Sequence, residues 1–105
     1  MRKIIALTAL ILSTTAIADD RVTVSGLQAG MHDLGYPAVF GIAHNNSNET
    51  LRSVFVKFKL YDSAGNVVGN TVANGQDIGP GENWKFSAAA TQPFSTMKLS
   101  EVTIY

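Results

Sequence analysis

The sequence predicts an all-β fold, an antiparallel sandwich of six or seven short strands. Three observations carry this expectation. The middle segment from Leu51 to Asp62, LRSVFVKFKLYD, alternates with a period of two. Val54, Val56, Phe58 and Leu60 fall on one side and Phe55, Lys57, Lys59 and Tyr61 on the other, the pattern of an extended strand with one buried and one wetter face. Clusters rich in Gly, Asn and Pro recur at intervals of roughly a dozen residues, the spacing of a sandwich of short strands. No later segment sustains a helical period. Ala88-Ala89-Ala90 is the one candidate helical turn, and Pro93 leaves no room to extend it.

The chain begins with what reads as an export signal over residues 1–18, leaving residues 19–105 as the folded domain. Arg2 and Lys3 form a positive start, Ile4 to Leu12 an apolar run interrupted only by Thr8, and Ala16-Ile17-Ala18 an A-x-A cleavage site. The apolar run falls short of the ~20 helical residues that span a bilayer, so no membrane span is expected after cleavage. The chain of 105 residues contains no cysteine. No lipid anchor is therefore expected at the new N-terminus, and the domain must fold without disulfides. A periplasmic or secreted bacterial protein is the expectation. In a eukaryote, Asn45-Asn46-Ser47 and Asn48-Glu49-Thr50 would be glycosylation sequons.

The formal charge is zero, and loss of Arg2 and Lys3 makes it slightly negative. Without a basic cluster the chain lacks the electrostatic footprint of a nucleic-acid binder and the polybasic segment of a protein that docks on anionic membranes.

The strands follow in order. Arg21 to Ser25 alternates and reads as the first, after which Gly26, Gly30 and Gly35 break the pattern and enclose a loop containing Met31 to Pro37. Ala38 to His44 is the second strand, with Gly41 marking a bulge or a close backbone approach. Asn45-Asn46-Ser47-Asn48 is a dense turn signal. The central strand then ends at Asp62, and Ser63-Ala64-Gly65-Asn66 turns the chain into Val67-Val68 as an antiparallel hairpin. Gly69 to Gly75 is weakly patterned and reads as an edge strand or a strand that wanders off the sheet. Ile78 to Glu82 is a second sharp turn around Pro80-Gly81. Trp84, Phe86 and Ala88 define another strand, Thr91-Gln92-Pro93 a break, and Lys98 to Tyr105 the last strand.

Phe58-Lys59-Leu60-Tyr61-Asp62 spells F-x-L-Y-D. Together with Gly41 before the Asn-rich turn, Gly65, Val67 and Val68 after the strand, and Pro80-Gly81-Glu82 followed by Phe86, this resembles the FxLYD domain family over about Val39 to Tyr105. The resemblance implies a small immunoglobulin-like β-sandwich of an exported or membrane-attached prokaryotic protein. It implies no catalytic site. The matched residues also have physical roles of their own. Phe58 and Leu60 belong to the buried side, Tyr61 covers the strand end, Asp62 accepts hydrogen bonds from the turn, and Pro80 and Gly81 set a corner.

Candidate chemistry is sparse. The two histidines are His32, followed by Asp33, and His44. With Met31 and Met97 they make a conceivable soft copper site, but adjacent strand residues point apart and no cysteine completes a zinc site. No serine lies in Gly-x-Ser-x-Gly, the acids look like turn and edge residues, and no glycine-rich phosphate loop leads into a helix. An enzyme and a cofactor are not expected. The expected function is a non-catalytic interaction or structural module of the bacterial envelope, its partner another envelope or secreted protein. It would act through the Phe55, Lys57, Lys59 and Tyr61 face or through the Gly69 to Gly75 edge. The alternative is a periplasmic copper-binding protein or a small protein inhibitor.

Overall fold

The computed structural model describes residues 11–12 and 16–105. Its strands are β1 (Ile11–Leu12), β2 (Ala16–Asp19), β3 (Val22–Met31), β4 (Pro37–Asn45), β5 (Leu51–Tyr61), β6 (Val67–Ile78), β7 (Asn83–Ala89) and β8 (Thr96–Ile104). Most of the expected signal segment, residues 1–18, lies outside the described residues. Among those described, all regular structure is extended. One sheet runs β3-β4-β7, with β1 and β2 added along the outer side of β3, and the other runs β6-β5-β8. Every pairing is antiparallel. The two orders are those of strands A-B-E and C′-C-F in an immunoglobulin sandwich, with no counterpart of strand G beside β8 among the described residues.

The middle segment is the centre of the second sheet, because β5 alone there has a neighbour on both sides. Its alternation partitions as the sequence predicts. Val54, Val56, Phe58 and Leu60 are buried, while Lys57 and Lys59 are exposed. From the facing sheet come Val22, Val24, Leu27, Val39, Phe86 and Ala88. Phe58 and Phe86 meet between the layers with ring centroids 5.8 Å apart. Fully burying a ring such as Phe58 contributes about 1.5–3 kcal/mol, and such pairs let a cysteine-free domain of this size hold together.

Two glycines make the layers fit. A Cβ on Gly41 would lie 2.6 Å from Phe86 Cζ and 2.9 Å from Leu27 Cδ2, so this glycine marks a close approach, and it also lies opposite the register shift of the β3–β4 ladder. A Cβ on Gly75 would lie 2.6 Å from the indole of Trp84. The weak patterning of Gly69 to Gly75 thus has a packing reason: the edge strand β6 leaves room for a ring from β7. Thr71 Oγ1 donates to Ala89 O and ties that side of the sandwich shut.

The β5–β6 hairpin forms as its turn chemistry dictates. Asp62 Oδ1 accepts from the N–H groups of Ala64 and Asn66, both at 2.9 Å, and Gly65 sits at φ 88°, a conformation glycine adopts at little cost. These donors, the Asn66 backbone foremost, hold the Asp62 carboxyl below its ordinary pKa. By contrast, Gly26 does not end the first strand. With φ 62° it occupies a bulge where the β3–β4 register shifts between Ser25 and Gln28, and β3 continues to Met31. A left-handed glycine absorbs the extra residue of a bulge and lets pairing resume.

Asn45 is the junction of the fold. It is 1% exposed, and each hydrogen-bonding position of its amide is used. Nδ2 donates to Ile78 O at 2.9 Å and Glu49 O at 2.8 Å, while Oδ1 accepts from Ser47 N at 2.8 Å and Ser47 Oγ at 2.7 Å. Its backbone accepts from Gly81 N and donates to Glu82 O, both at 3.0 Å. The Pro80-Gly81 corner is closed by Glu82 N donating to Gly79 O, and by Gly79 N donating to the Glu82 carboxylate at 2.6 Å. One buried residue therefore joins the end of β4, the turn into β5 and the end of β6 through its side chain, and the corner before β7 through its backbone. The first sequon has its asparagine sealed in this junction, whereas Asn48 is exposed.

Candidate interaction face

The wetter side of β5 forms the middle row of an open sheet face. Register sets what flanks each residue: Phe55 lies between Asn74 and Thr103, Lys57 between Val72 and Glu101, Lys59 between Asn70 and Lys98, and Tyr61 between Val67 and Thr96. Phe55 is half-buried, its ring meeting Tyr105 edge-on at a centroid distance of 5.7 Å. Lys57 Nζ lies 3.5 Å from Glu101 Oε1. Both side chains are more than half exposed, so the pair contributes little to stability. Lys98 Nζ stands 5.9 Å above the Tyr61 ring, within the range of a weak cation–π contact. Val72 and Tyr105 stay exposed at the rims.

The Lys59–Lys98 pair is the feature the fold does not explain. Like charges placed directly opposite on one sheet face destabilise it. Among the described residues the ion pairs are Arg21–Asp19 and Lys57–Glu101, so neither Lys59 nor Lys98 is neutralised. A register shift between Lys57 and Phe58 in the β5–β8 ladder brings the two lysines opposite each other. That shift is invisible in either strand's sequence alone, and sequence reading therefore finds Lys59 but misses Lys98.

The eight motif residues serve the fold. Phe58, Leu60 and Phe86 are buried, while Asp62, Gly65, Pro80 and Gly81 build turns. Only Tyr61 also belongs to the open face.

The four residues considered for copper are not brought together. His32 lies in the loop before β4 and His44 near its far end, separated by most of a nine-residue strand, roughly 23 Å at about 3.3 Å per residue. His32 stacks on Tyr36, and its Nδ1 accepts from Leu34 N. His44 Nδ1 lies 2.7 Å from Asn83 Oδ1. Met97 is buried. Among the described residues no three His, Cys, Asp or Glu side chains cluster as a metal site, and no helix is long and apolar enough to cross a membrane.

Two of the clefts on the described surface lie away from this face or at its end. One of ≈ 400 Å³ lies on the first sheet between Gln28, Phe40, Ile42 and Lys85. Another of ≈ 490 Å³ lies at the end of the second sheet, where Arg52, Gln76, Asp77 and Tyr105 meet. Ser87 also lines the first and Ser53 the second. Comparison with family models, curated proteins and solved structures gives no match.

Proposed function

We propose that this protein is a non-catalytic interaction module of the bacterial envelope, FxLYD-like in character, which is exported by residues 1–18 and binds an acidic segment of another envelope or secreted protein on the outer face of β6-β5-β8. The opposition of Lys59 and Lys98 carries this reading. The pair costs stability when the face is empty, and a carboxylate seated between the two lysines would remove that cost. Phe55, Tyr61 and Tyr105 supply ring surface beside the charges, the mixture of aromatic anchors and polar groups that binding patches use. Lys57 lies in the same row, its charge balanced by Glu101.

The test is affinity capture from envelope extract with the native protein and with the double variant Lys59→Glu, Lys98→Glu, whose exposed positions leave the core untouched. A partner retained by the native protein, released by added salt and lost from the double variant supports the reading. Equal retention by a variant that unfolds at the same temperature as the native protein removes it.

A further inference from the structure

The side of the sandwich away from Thr71 and Ala89 is where β3 faces β8, and it is built differently from the other edges. β3 is a ten-residue strand, VTVSGLQAGM, with neither a charged residue nor a proline. Lysine, proline and inward charge are the usual devices that keep an edge strand from pairing with other chains. The facing edge β8 carries Lys98 and Glu101, and β7 carries Lys85. β3 has only its bulge.

Its free side is taken by the segment that precedes the domain. Ala16 and Ile17 of β2 lie opposite Val24 and Thr23, Asp19 lies opposite Val22, and Leu12 and Ile11 of β1 lie opposite Leu27 and Gln28. β2 also lies near β8. The walls of this seam are apolar on both sheets: Val22, Val24 and Leu27 on β3, Leu99, Val102 and Ile104 on β8.

We propose that removal of residues 1–18 opens the β3–β8 seam as a strand-acceptor groove, which takes an extended segment of another exported protein. That segment runs antiparallel to β3 and is apolar at the positions opposite Val24 and Leu27. The inference rests on the export reading above. Cleavage after Ala18 removes β1 and all of β2 but Asp19, leaving the outer N–H and C=O groups of β3 beyond Val22 without partners. A strand that adds to such an edge gains main-chain hydrogen bonds, and alternate side chains entering apolar positions give it selectivity. Outward neighbours Thr23, Ser25 and Gln28 are uncharged, so the groove selects apolar alternation and not charge.

The test compares the unprocessed full chain with the chain recovered after export, by intact mass and by backbone hydrogen exchange. A synthetic peptide spanning Ile11 to Asp19 serves as the probe strand. In the unprocessed chain the β3 amides pointing away from β4 are expected to be protected. In the processed chain they should exchange about tenfold faster or more, and the peptide should restore their protection. The same peptide carrying Leu12→Asp and Ala16→Asp should have no effect, and this control leaves the protein itself unaltered. Processed chain whose β3 amides stay protected without peptide overturns the proposal alone, as does equal protection by both peptides. Protection that appears only at high protein concentration also overturns it, because the occupant is then a second copy. An exported chain that still carries residues 1–18 by mass removes the export reading, and the open groove with it.

Discussion

Replacing Asn45 by Asp changes one NH2 into an oxygen at almost constant volume and strikes the junction of the fold. Two donated hydrogen bonds disappear, to Ile78 O and Glu49 O, and a carboxylate oxygen is left facing two carbonyl oxygens at 2.9 and 2.8 Å. Each lost bond costs about 0.5–1.5 kcal/mol net, and a buried acceptor without a donor about 1–3 kcal/mol. The bond to Ile78 is buried and that to Glu49 partly so, which places the total near 3–6 kcal/mol. A domain of this length has about 5–15 kcal/mol to lose, so Asn45→Asp should lower the melting temperature by at least about 12 °C. Urea unfolding of both proteins at pH 7 and pH 4 separates this mechanism from simple loss of packing. The carbonyl oxygens disfavour the charged form, so the new carboxyl has a higher pKa folded than unfolded. The variant's deficit relative to the native protein is then largest at pH 7 and shrinks as pH falls, since a neutral carboxyl can donate one of the two bonds. A loss below about 1 kcal/mol at pH 7, or a deficit that does not change with pH, would refute the reasoning.

Three further perturbations test the strand phase, the interlayer fit and the hairpin turn. Phe58→Ala removes a ring with no solvent exposure and should cost about 3–5 kcal/mol, whereas Lys59→Ala should stay within about 0.5 kcal/mol; equal costs in urea unfolding would mean the β5 phase is reversed. Gly75→Ala forces the Trp84 indole to move from 2.6 Å and should destabilise by about 1–3 kcal/mol with a shift in tryptophan emission, and an unchanged spectrum and stability would show that the ring does not pack there. The Asp62 pKa is lowered on folding by the Asn66 backbone and side chain and the turn N–H groups. Its contribution is therefore complete above the unfolded value near 3.9 and is lost as pH falls through the folded value. The difference between the native protein and Asp62→Asn should shrink on acidification below about pH 4, and a difference independent of pH contradicts the charge-assisted turn.

Much of the architecture was legible because local chemistry and global packing agree. The period-two run of β5 has its buried phase where expected, and Asp62 with Gly65 marks the hairpin because both turn requirements lie within a few residues. Gly69 to Gly75 sits at an edge as its weak pattern suggests, although the strand runs from Val67 to Ile78. Gly26 misled, since a glycine that ends a strand and a glycine that occupies a bulge within one look the same until the partner strand is known. Asn45 reads as a turn residue, but it is the last residue of β4, paired with Val22. Its deeper role depends on the carbonyl of Ile78, 33 residues away, and nothing local announces it. The interaction face was half legible. Phe55, Lys57, Lys59 and Tyr61 follow from alternation, but Lys98, Glu101 and Tyr105 join them only through the β5–β8 register. The β3–β8 seam was not legible, because it is a relation between two sheet edges.

The central claim is that the lysine and aromatic face of β5 meets a partner in the envelope. A photo-cross-linking residue placed at Lys59, and in a second strain at the exposed Ser87 on the other sheet, tests this in living cells exporting the protein. The account predicts a discrete adduct with another protein from position 59, weakened when Lys98→Glu is added, and none from position 87. No adduct from position 59, or the same adduct from both positions, would contradict it.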